Sequence, residues 1–560
     1  MLPRKNFHRR DAETQRSFRQ RVIEQPRDPK RPRTLFNVLL FVSLRLCVSA
    51  VILAAVSCGS KPTDPRTVIP GDALVYLESN DLAKTVAAII DNPKFEAAAK
   101  SKPNLTALNG IKVSVAVTGF ETFEQTVTEE NSVLNFQPRF VAVAETNAWG
   151  WQATSFVENQ LGEFVNNVYG GEVQMDMTPR NDGKFYVWTS PEGRKAYALQ
   201  QGSLVFFGND ETAIERCQAV KRGEAESIAK NPKITDADRL AFGYISPDGL
   251  GQIANIAGVS LAMGASEEEE VKSFVARVLP EILRNSAKEV TWTASRSKEG
   301  IEDKIVVSLD DESARVFNET LVPAKADESH LNDFVPASTT SSTRYLLRDP
   351  QIAWRGLVLT AKNKTDDASG ALIAAFSGSL FEPYGVEDPE LFLSSVASRL
   401  VTVKLGPDGD DAAVVATVKD AARIRGSIAK EISFTRPPEK QFGADVWKSE
   451  DGELAAAFIG DQLVIGDSEI VLKCLEAKQS GGNANIARQF ASSDAIAVTV
   501  GNETDSFGKL VEVLAERKDE NAPTASQYVT ETRFNKNGIE RRTVSDFGLI
   551  GWILEHLAQE

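Results

Sequence analysis

One strand–turn–strand–strand–helix block occurs twice in this chain, and the repeat constrains the fold more than any other feature. The first copy runs from Gly183 to Gly223, and the second begins at Asp445. In both, Val-Trp is followed by Ser two residues on and by Gly three further, and two later glycines lie six apart. A helix with one cysteine, Cys217 or Cys474, closes each copy. We expect both thiols to be small buried hydrophobes, with a bridge between them as the alternative.

Two further features recur in the same order along the chain. Residues 298–300 (Lys-Glu-Gly) and 536–538 (Lys-Asn-Gly) place a glycine between strand-like runs, as in a hairpin turn with positive φ. The segment 334–347 loosely repeats the opening at 68–77. The offset between copies falls from 266 at the prolines to 238 at the hairpin glycines, so the second copy is shorter.

These patterns predict an α+β fold of two tandem related units, each a mostly antiparallel sheet packed with amphipathic helices. Regular βαβ alternation with Gly-rich turns is missing from the sequence, and parallel pairing within a unit is the alternative. A polar segment near 327–333 follows a helical run at 315–321 and marks the boundary. The predicted units are residues 68–328 and 329–560.

The N-terminus has the order of a secretory signal peptide. Residues 1–33 contain eleven Lys or Arg against four acids, and an apolar run over 35–56 follows, interrupted by Arg45. A second hypothesis is that translation begins nearer Leu35, which would make the long basic leader an error of the gene model.

The sequence Ala55-Val-Ser-Cys58 resembles the lipobox of bacterial lipoproteins. The resemblance implies cleavage before Cys58 and attachment of diacylglycerol to its thiol. This chain departs from the family in having Ala55 where Leu is usual. Residues 1–57 are then the basic leader and signal peptide, and residues 58–67 are a polar tether.

An uncleaved membrane anchor over Leu35–Ser57 is the competing interpretation, since 23 residues can span a bilayer. Arg45 near its centre would cost about 3 kcal/mol on insertion scales. Both interpretations place the body outside the cytoplasm, anchored at the cell envelope and facing the periplasm or exterior, because the positive segment stays inside.

The net charge of the chain argues against some classes of binding partner. The chain has 63 Lys and Arg against 78 Asp and Glu, a net charge of −15, which argues against nucleic-acid binding. Residues 1–57 hold twelve basic and four acidic groups, which leaves a body of net charge −23. Anionic headgroups would repel such a body, so we expect it to stand on the membrane by its anchor and not to lie flat by electrostatics. The expected partners are the membrane, through the N-terminal lipid or anchor, and an unknown protein or ligand.

The opening Pro-x-Asp-Ala-Leu-Val-Tyr-Leu at 70–77, the Asn-Asp-Leu at 80–82 and the Gly-Asp-x-Glu block resemble the bacterial domain-of-unknown-function 3352 family. The similarity covers most of residues 68–560. It implies an envelope location, no known activity and no catalytic residues.

Motifs for catalysis are sparse. The histidines His8, His330 and His556 lie far apart in sequence, so we expect neither a metal site nor a cofactor. Ser-x-x-Lys, the nucleophile pair of penicillin-binding enzymes, occurs at 227–230, 295–298 and 427–430. Its partner Lys-Thr-Gly is missing from the sequence, so we interpret the three matches as chance.

Acidic residues precede several predicted helices. At 208–211 and 466–469 they follow a glycine, and at 266–270 they form a run. A carboxylate or divalent-cation site is one interpretation. Helix capping and interaction with the helix dipole is the preferred one.

Four tryptophans lie where they could be either core residues or binding residues. Trp149 and Trp151 lie beside a turn before an amphipathic helix, where they could stack on sugars or peptides or, as we prefer, pack in the core and at the helix start. Trp188 and Trp447 recur at equivalent places and are expected to be core anchors.

We therefore predict a non-enzymatic envelope lipoprotein that acts as a binding or scaffolding module, using the groove between its units. An envelope hydrolase with an unrecognised site is one alternative. A carrier or chaperone for apolar cargo is the other, with the apolar stretch 253–265 as a lining or, more simply, as a buried helix.

Overall fold

The computed structural model describes residues 63–126, 132–180, 182–264, 278, 280–325, 330–406, 412–491, 493–504, 507–519, 524–536 and 538–557. We call residues 63–325 the first half and residues 330–557 the second half. Cys58, the apolar segment before it and the acidic run 266–270 lie outside the described residues, so what we expect of them stays a prediction.

A single sheet of 20 strands spans the described residues, and all its strand pairs in named registers are antiparallel. The first half contributes β1 Val75–Ser79, β2 Lys112–Thr126, β3 Ser132–Glu145, β4 Gln174–Arg180, β5 Gly183–Thr189, β6 Lys195–Gln201, β7 Leu204–Gly208, β8 Ala241–Ile245, β9 Ala287–Arg296 and β10 Ile301–Leu309. The second half contributes β11 Ser341–Leu346, β12 Val396–Lys404, β13 Ala412–Val418, β14 Glu439–Gln441, β15 Ala444–Lys448, β16 Leu454–Ile459, β17 Gln462–Asp467, β18 Ala497–Thr504, β19 Ala525–Asn535 and β20 Gly538–Ser545. The mixed class with an antiparallel sheet is confirmed.

Strand order is the same in both halves. In the first half, neighbouring strands run β4-β5-β6-β7-β3-β2-β1-β8-β9-β10. In the second half they run β14-β15-β16-β17-β13-β12-β11-β18-β19-β20. The halves join along one seam, where β10 pairs with β20 from Ile301–Ser545 to Ser308–Gly538.

Helices occupy the connections between strands. They are α1 Leu82–Ile90, α2 Pro93–Ala98, α3 Gly150–Ser155, α4 Gly162–Val168, α5 Glu211–Lys221, α6 Pro247–Gly264, α7 Asp311–Thr320, α8 Pro350–Asn363, α9 Asp367–Phe376, α10 Pro389–Ser395, α11 Ala421–Gly426, α12 Ser468–Ser480, α13 Ala484–Ala491, α14 Gly508–Leu514 and α15 Gly548–Leu557. A π-helical turn, Phe156–Leu161, joins α3 to α4.

Aspartates begin many of these helices, because a carboxylate accepts the free N–H groups of a first turn. Asp81 accepts the backbone N–H of Lys84 at the start of α1. Asp210 does the same for α5 and Asp467 for α12. The capping interpretation of 208–211 and 466–469 is therefore confirmed.

The tryptophans of the repeated block are buried, as expected. Trp188 is 2% exposed and lies stacked on Tyr186, with ring centroids 5.9 Å apart. Trp447 is 8% exposed, and its indole N–H donates to the Arg436 carbonyl at 2.9 Å.

Each half buries part of the other. One core cluster combines α1 and α2 of the first half with α14 and α15 of the second, including Leu82, Ile89, Phe95, Phe507, Leu510, Ile550 and Leu554. Conversely, Phe317 of α7 packs edge-on against Phe534 of β19, with ring centroids 5.5 Å apart. The two halves therefore share core residues across the seam.

Two expectations need correction. The predicted tether includes residues that belong to the body, because Pro65–Val68 forms a 3-10 helix in which Pro65 and Arg66 are buried. The helix predicted over 253–265 is only partly buried: Ala254 is enclosed, whereas Asn255 is exposed. The helix contacts β9.

Candidate functional site

Trp149 and Trp151 lie at the surface rather than in the core. Their exposed fractions are 43% and 68%, so the core part of the expectation is wrong for both, although both do lie at the start of α3. The local sequence could not reveal this, since a tryptophan before an amphipathic helix fits either face.

The loop that contains Trp149 and Trp151 lies beside two other connections between strands. Asn147, which adopts a positive φ of 52°, donates from its side-chain amide to the Gly110 carbonyl at 2.7 Å. The backbone N–H of Thr146 donates to the Ser203 carbonyl at 3.1 Å. We call the three connecting segments, 105–111, 146–151 and 202–203, the tryptophan end.

Gln200 fastens the helix start to the same place. It is 6% exposed, and its side-chain amide donates to the carbonyls of Gly202 at 2.7 Å and Gly150 at 3.3 Å. The loop that carries the tryptophans is thus held by buried hydrogen bonds.

The N-terminal end of the described chain enters beside this loop. The backbone N–H of Thr63 donates to Oε2 of Glu145 at 3.0 Å, and the N–H of Asn147 donates to Oε1 at 2.9 Å. Glu145 is 1% exposed, so both carboxylate oxygens receive backbone donors in a buried setting. One side chain therefore binds both the entering chain and the tryptophan loop.

An open pocket of about 640 Å³ borders the tryptophan end. It is lined by Gly150, Thr154, Pro179, Arg180, Asp182, Gly183, Lys184, Gln200 and Gly202. Its far wall is the β4–β5 hairpin, which brings charged side chains to an otherwise uncharged region.

Those charges are already paired within the protein. Arg180 binds Glu211 and Glu215, each at 2.5 Å, and the hydrogen bond to Glu211 raises the pKa of Arg180. Lys184 lies 3.6 Å from Glu158. The pocket therefore offers partly neutralised charge, which suits polar contacts better than strong anion binding.

A buried ion network lies near the entering chain. Arg66 binds Glu78 at 2.9 Å and Asp236 at 2.5 Å, and Arg239 binds the other oxygen of Glu78 at 2.5 Å. Burial, followed by Glu78, raises the pKa of Tyr76 well above its usual value. These ion pairs hold the 3-10 helix against β1 at Glu78, and no sequence motif indicated them.

The Ser-x-x-Lys matches do not form nucleophile–base pairs. The Ser227 hydroxyl donates to the Arg66 carbonyl at 2.7 Å, while Lys230 pairs with Glu226 at 3.1 Å. The Ser427 hydroxyl donates to a backbone carbonyl at 2.6 Å, while Lys430 pairs with Glu387 at 2.6 Å. The third match is split between β9 and the following turn.

Cys217 and Cys474 are free and buried on equivalent helices, as the preferred interpretation expects. Burial raises the pKa of each thiol to about 12. Among the described residues, no cluster of three His, Cys, Asp or Glu could hold a metal ion, and no helix is long and apolar enough to cross a membrane.

A second notable surface lies on the outer faces of α8 and α9 and the 3-10 helix Ser379–Tyr384. Its members are large apolar side chains with exposed fractions from 38% to 65%: Ile352, Leu357, Leu359, Leu372 and Leu380. The inner face of α8 is buried at Ala353, Gly356 and Thr360. Since α8 and α9 pack against each other, these exposed apolar side chains lie on neighbouring helices, a feature found at interaction surfaces.

Comparison with known proteins gives little guidance. No family model matches the chain, and no curated protein matches it. Two solved structures of a protein named TP0453 are similar to part of it. Crystal form IV has a TM-score of 0.22 with 9% identity, covering 47% of this chain and 89% of that one. Crystal form I has a TM-score of 0.21 with 11% identity, covering 45% and 81%. We draw nothing from similarities this weak.

Proposed function

We propose that this protein is a bacterial envelope lipoprotein, anchored through Cys58, whose body serves a non-enzymatic binding or scaffolding role. The main support for this anchor is the position at which the folded body begins. Thr63 is already hydrogen-bonded to buried Glu145, five residues after Cys58. A lipid on Cys58 would therefore hold the folded body directly at the membrane instead of on a long linker.

Surface features support binding rather than catalysis. The serines of two Ser-x-x-Lys matches are bonded to backbone carbonyls and their lysines to acids. The body does carry an open pocket and an exposed apolar surface on α8 and α9. A hydrolase would need a nucleophile and a base within hydrogen-bond reach, which these pairs do not provide.

We also propose that the two halves arose by tandem duplication. The common order of ten strands in each half supports this. So do the equivalent positions of Trp188 and Trp447 on β5 and β15. The proposed boundary falls in the connection that leads from α7 to the 3-10 helix His330–Phe334.

Radiolabelled palmitate tests the anchor. We expect the full-length protein to incorporate label and to fractionate with membranes, and Cys58→Ser to lose both. Cys474→Ser is the matched control, because its thiol is buried and should not accept lipid. An unlabelled protein whose fractionation is unchanged in Cys58→Ser would refute the lipid anchor.

Mass spectrometry of the mature N-terminus tests cleavage separately. Removal of residues 1–57 predicts that the first residue is a modified Cys58. Recovery of a peptide from residues 1–33 in the purified envelope protein would contradict cleavage and favour the uncleaved anchor.

A further inference from the structure

The tryptophan end carries exposed aromatic surface that the fold itself does not require. In the second half, the corresponding connection after β13 begins α11 with Asp420, which accepts the backbone N–H groups of Ala422 and Arg423. That connection has no tryptophan. The helix start can therefore be built without Trp149 and Trp151, which leaves their exposure unexplained by folding.

The surrounding sequence lacks charge. Residues 103–111, 146–157 and 196–209 contain no Asp, Glu, Lys or Arg, although charged residues make up 25% of the chain. Hydrogen bonds join these three segments at the tryptophan end. The three segments thus carry the tryptophans without a charged residue of their own, although the buried Glu145 and the paired Arg180 and Lys184 lie beside them.

The entering chain limits where this end can lie. Thr63 lies five positions after Cys58, a span of at most about 18 Å when fully extended. Glu145 binds Thr63, and the backbone passes from Glu145 to Trp149 in four residues, or at most about 14 Å. The tryptophans and the proposed lipid are therefore held at the same end of the body.

We propose that the tryptophan end docks on the surface of the membrane that holds the lipid anchor, with Trp149 and Trp151 in the boundary between headgroups and acyl chains. This inference rests on the proposed lipoprotein anchor. Tryptophan prefers that boundary because its ring is apolar while its N–H can still bind polar groups. The uncharged segments avoid the repulsion that the acidic body would otherwise meet at anionic headgroups.

Fluorescence quenching by lipid tests the docking. Full-length lipidated protein is reconstituted in phosphatidylcholine vesicles with brominated acyl chains and compared with the same protein in unbrominated vesicles. We expect bromine to quench the wild-type emission, and Trp149→Ala/Trp151→Ala to lose most of that quenching. Trp151→Ala alone should lose part of it. Trp552→Ala is the matched control, since Trp552 is 45% exposed but lies on α15, and it should keep the quenching.

Each outcome separates docking from anchoring. All variants should remain palmitate-labelled and vesicle-bound, because the lipid is unchanged, and should keep the wild-type unfolding midpoint, because the mutated side chains are exposed. Equal quenching in the wild type and the double variant, with label intact, would overturn docking and leave the anchor standing. That result is also expected if the tryptophans bind a glycan or peptide instead. Loss of label and of vesicle binding in the wild type would overturn the anchor itself.

Salt dependence provides a second criterion. Because the three segments carry no charge and phosphatidylcholine is neutral, bromine quenching of the wild type should be unchanged by high salt. Quenching that disappears at high salt would show an electrostatic contact through other residues and would contradict the proposed surface.

Discussion

At the residue scale, the two buried thiols lie in similar environments, one in each half. Cys217 and Cys474 occupy equivalent helices, and each is fully enclosed by apolar neighbours. Burial disfavours the thiolate, which is why both pKa values rise to about 12. The pair therefore behaves as two core residues and not as a redox site.

This burial predicts how the thiols respond to pH. We expect neither cysteine to react with a thiol reagent at pH 8 until the protein unfolds. The folded pKa lies above the ordinary value of 9.0, so the unfolded thiols ionise first and the free energy of unfolding falls as the pH rises from about 9 towards 12. Denaturant titrations across that range check the slope, with Cys217→Ala/Cys474→Ala as the comparison, in which the slope should be smaller. Rapid labelling of Cys217 or Cys474 in the native protein would contradict the burial.

Arg344 is a buried cation held by backbone carbonyls. It is 1% exposed and donates to the carbonyls of Phe490, Ser493 and Ala495 at 2.8 to 3.1 Å. Burial lowers its pKa to about 10. The guanidinium thereby holds in place the segment that connects α13 to β18.

Removing that guanidinium should be costly. Arg344→Ala leaves a cavity and buried carbonyls without donors, so we expect it to lower the free energy of unfolding by about 3 kcal/mol. The exposed pair Arg355–Glu390 is the control, and Arg355→Ala should cost at most about 1 kcal/mol. Denaturant unfolding measures both, and equal losses would show that the carbonyl contacts are unimportant.

Hairpin glycines have two roles at the scale of elements. Gly300 and Gly538 have φ values of 140° and 144°, as their predicted turns require. The sequence did not show that both also lie at the seam. A Cβ at Gly538 would collide with the Val307 carbonyl, and one at Gly300 with the Ser545 carbonyl. Close approach of the other half therefore excludes a side chain at both turns.

A substitution at Gly538 should therefore destabilise the protein more than a substitution at an ordinary turn glycine. We expect Gly538→Ala to lower the free energy of unfolding by about 3 kcal/mol, combining backbone strain with overpacking. Gly452→Ala is matched, since Gly452 has a φ of 76° and nothing within 4 Å of an added Cβ, and it should cost about 1 kcal/mol. Similar denaturation midpoints for the two variants would mean that the seam accommodates the added methyl group at little cost in stability.

The two halves share hydrogen bonds and core residues at the scale of the whole molecule. Besides the β10–β20 pairing, Asp303 accepts the Trp292 indole N–H at 2.8 Å and the Leu549 backbone N–H at 2.7 Å. Burial raises the pKa of Asp303. The start of α15 is thus fixed by a carboxylate of the first half, while α15 completes the core over α1.

A cavity in α15 should therefore loosen the first half. Leu554 is 1% exposed, and Leu554→Ala should cost about 3 kcal/mol and speed hydrogen exchange in α1, some 460 residues away in sequence. Ile486→Ala, in the separate core beneath α13, is the control and should leave exchange in α1 unchanged. Exchange in α1 that responds equally to both variants, or to neither, would contradict the shared core.

Much of the local structure followed from the sequence, because its signals lie close together along the chain. The aspartate before α1 caps it, the repeated Val-Trp strand buries its tryptophan, and the hairpin glycines bend the turns. Nothing in those short patterns reports which distant surfaces meet. The exposure of Trp149 and Trp151, and the binding of Thr63 by Glu145, could not be predicted for that reason.

The sequence by itself determined the mixed class, the antiparallel hairpins, the recurring block and the expectation of an anchor at Cys58, since each depends on neighbouring residues. Only the tertiary structure decided that the sheet continues across the β10–β20 seam, that the halves share core residues, and that two tryptophans face outward beside the entering chain. Such contacts join residues hundreds of positions apart, as Asp303 and Leu549 do, and their energies depend on packing that no local pattern encodes.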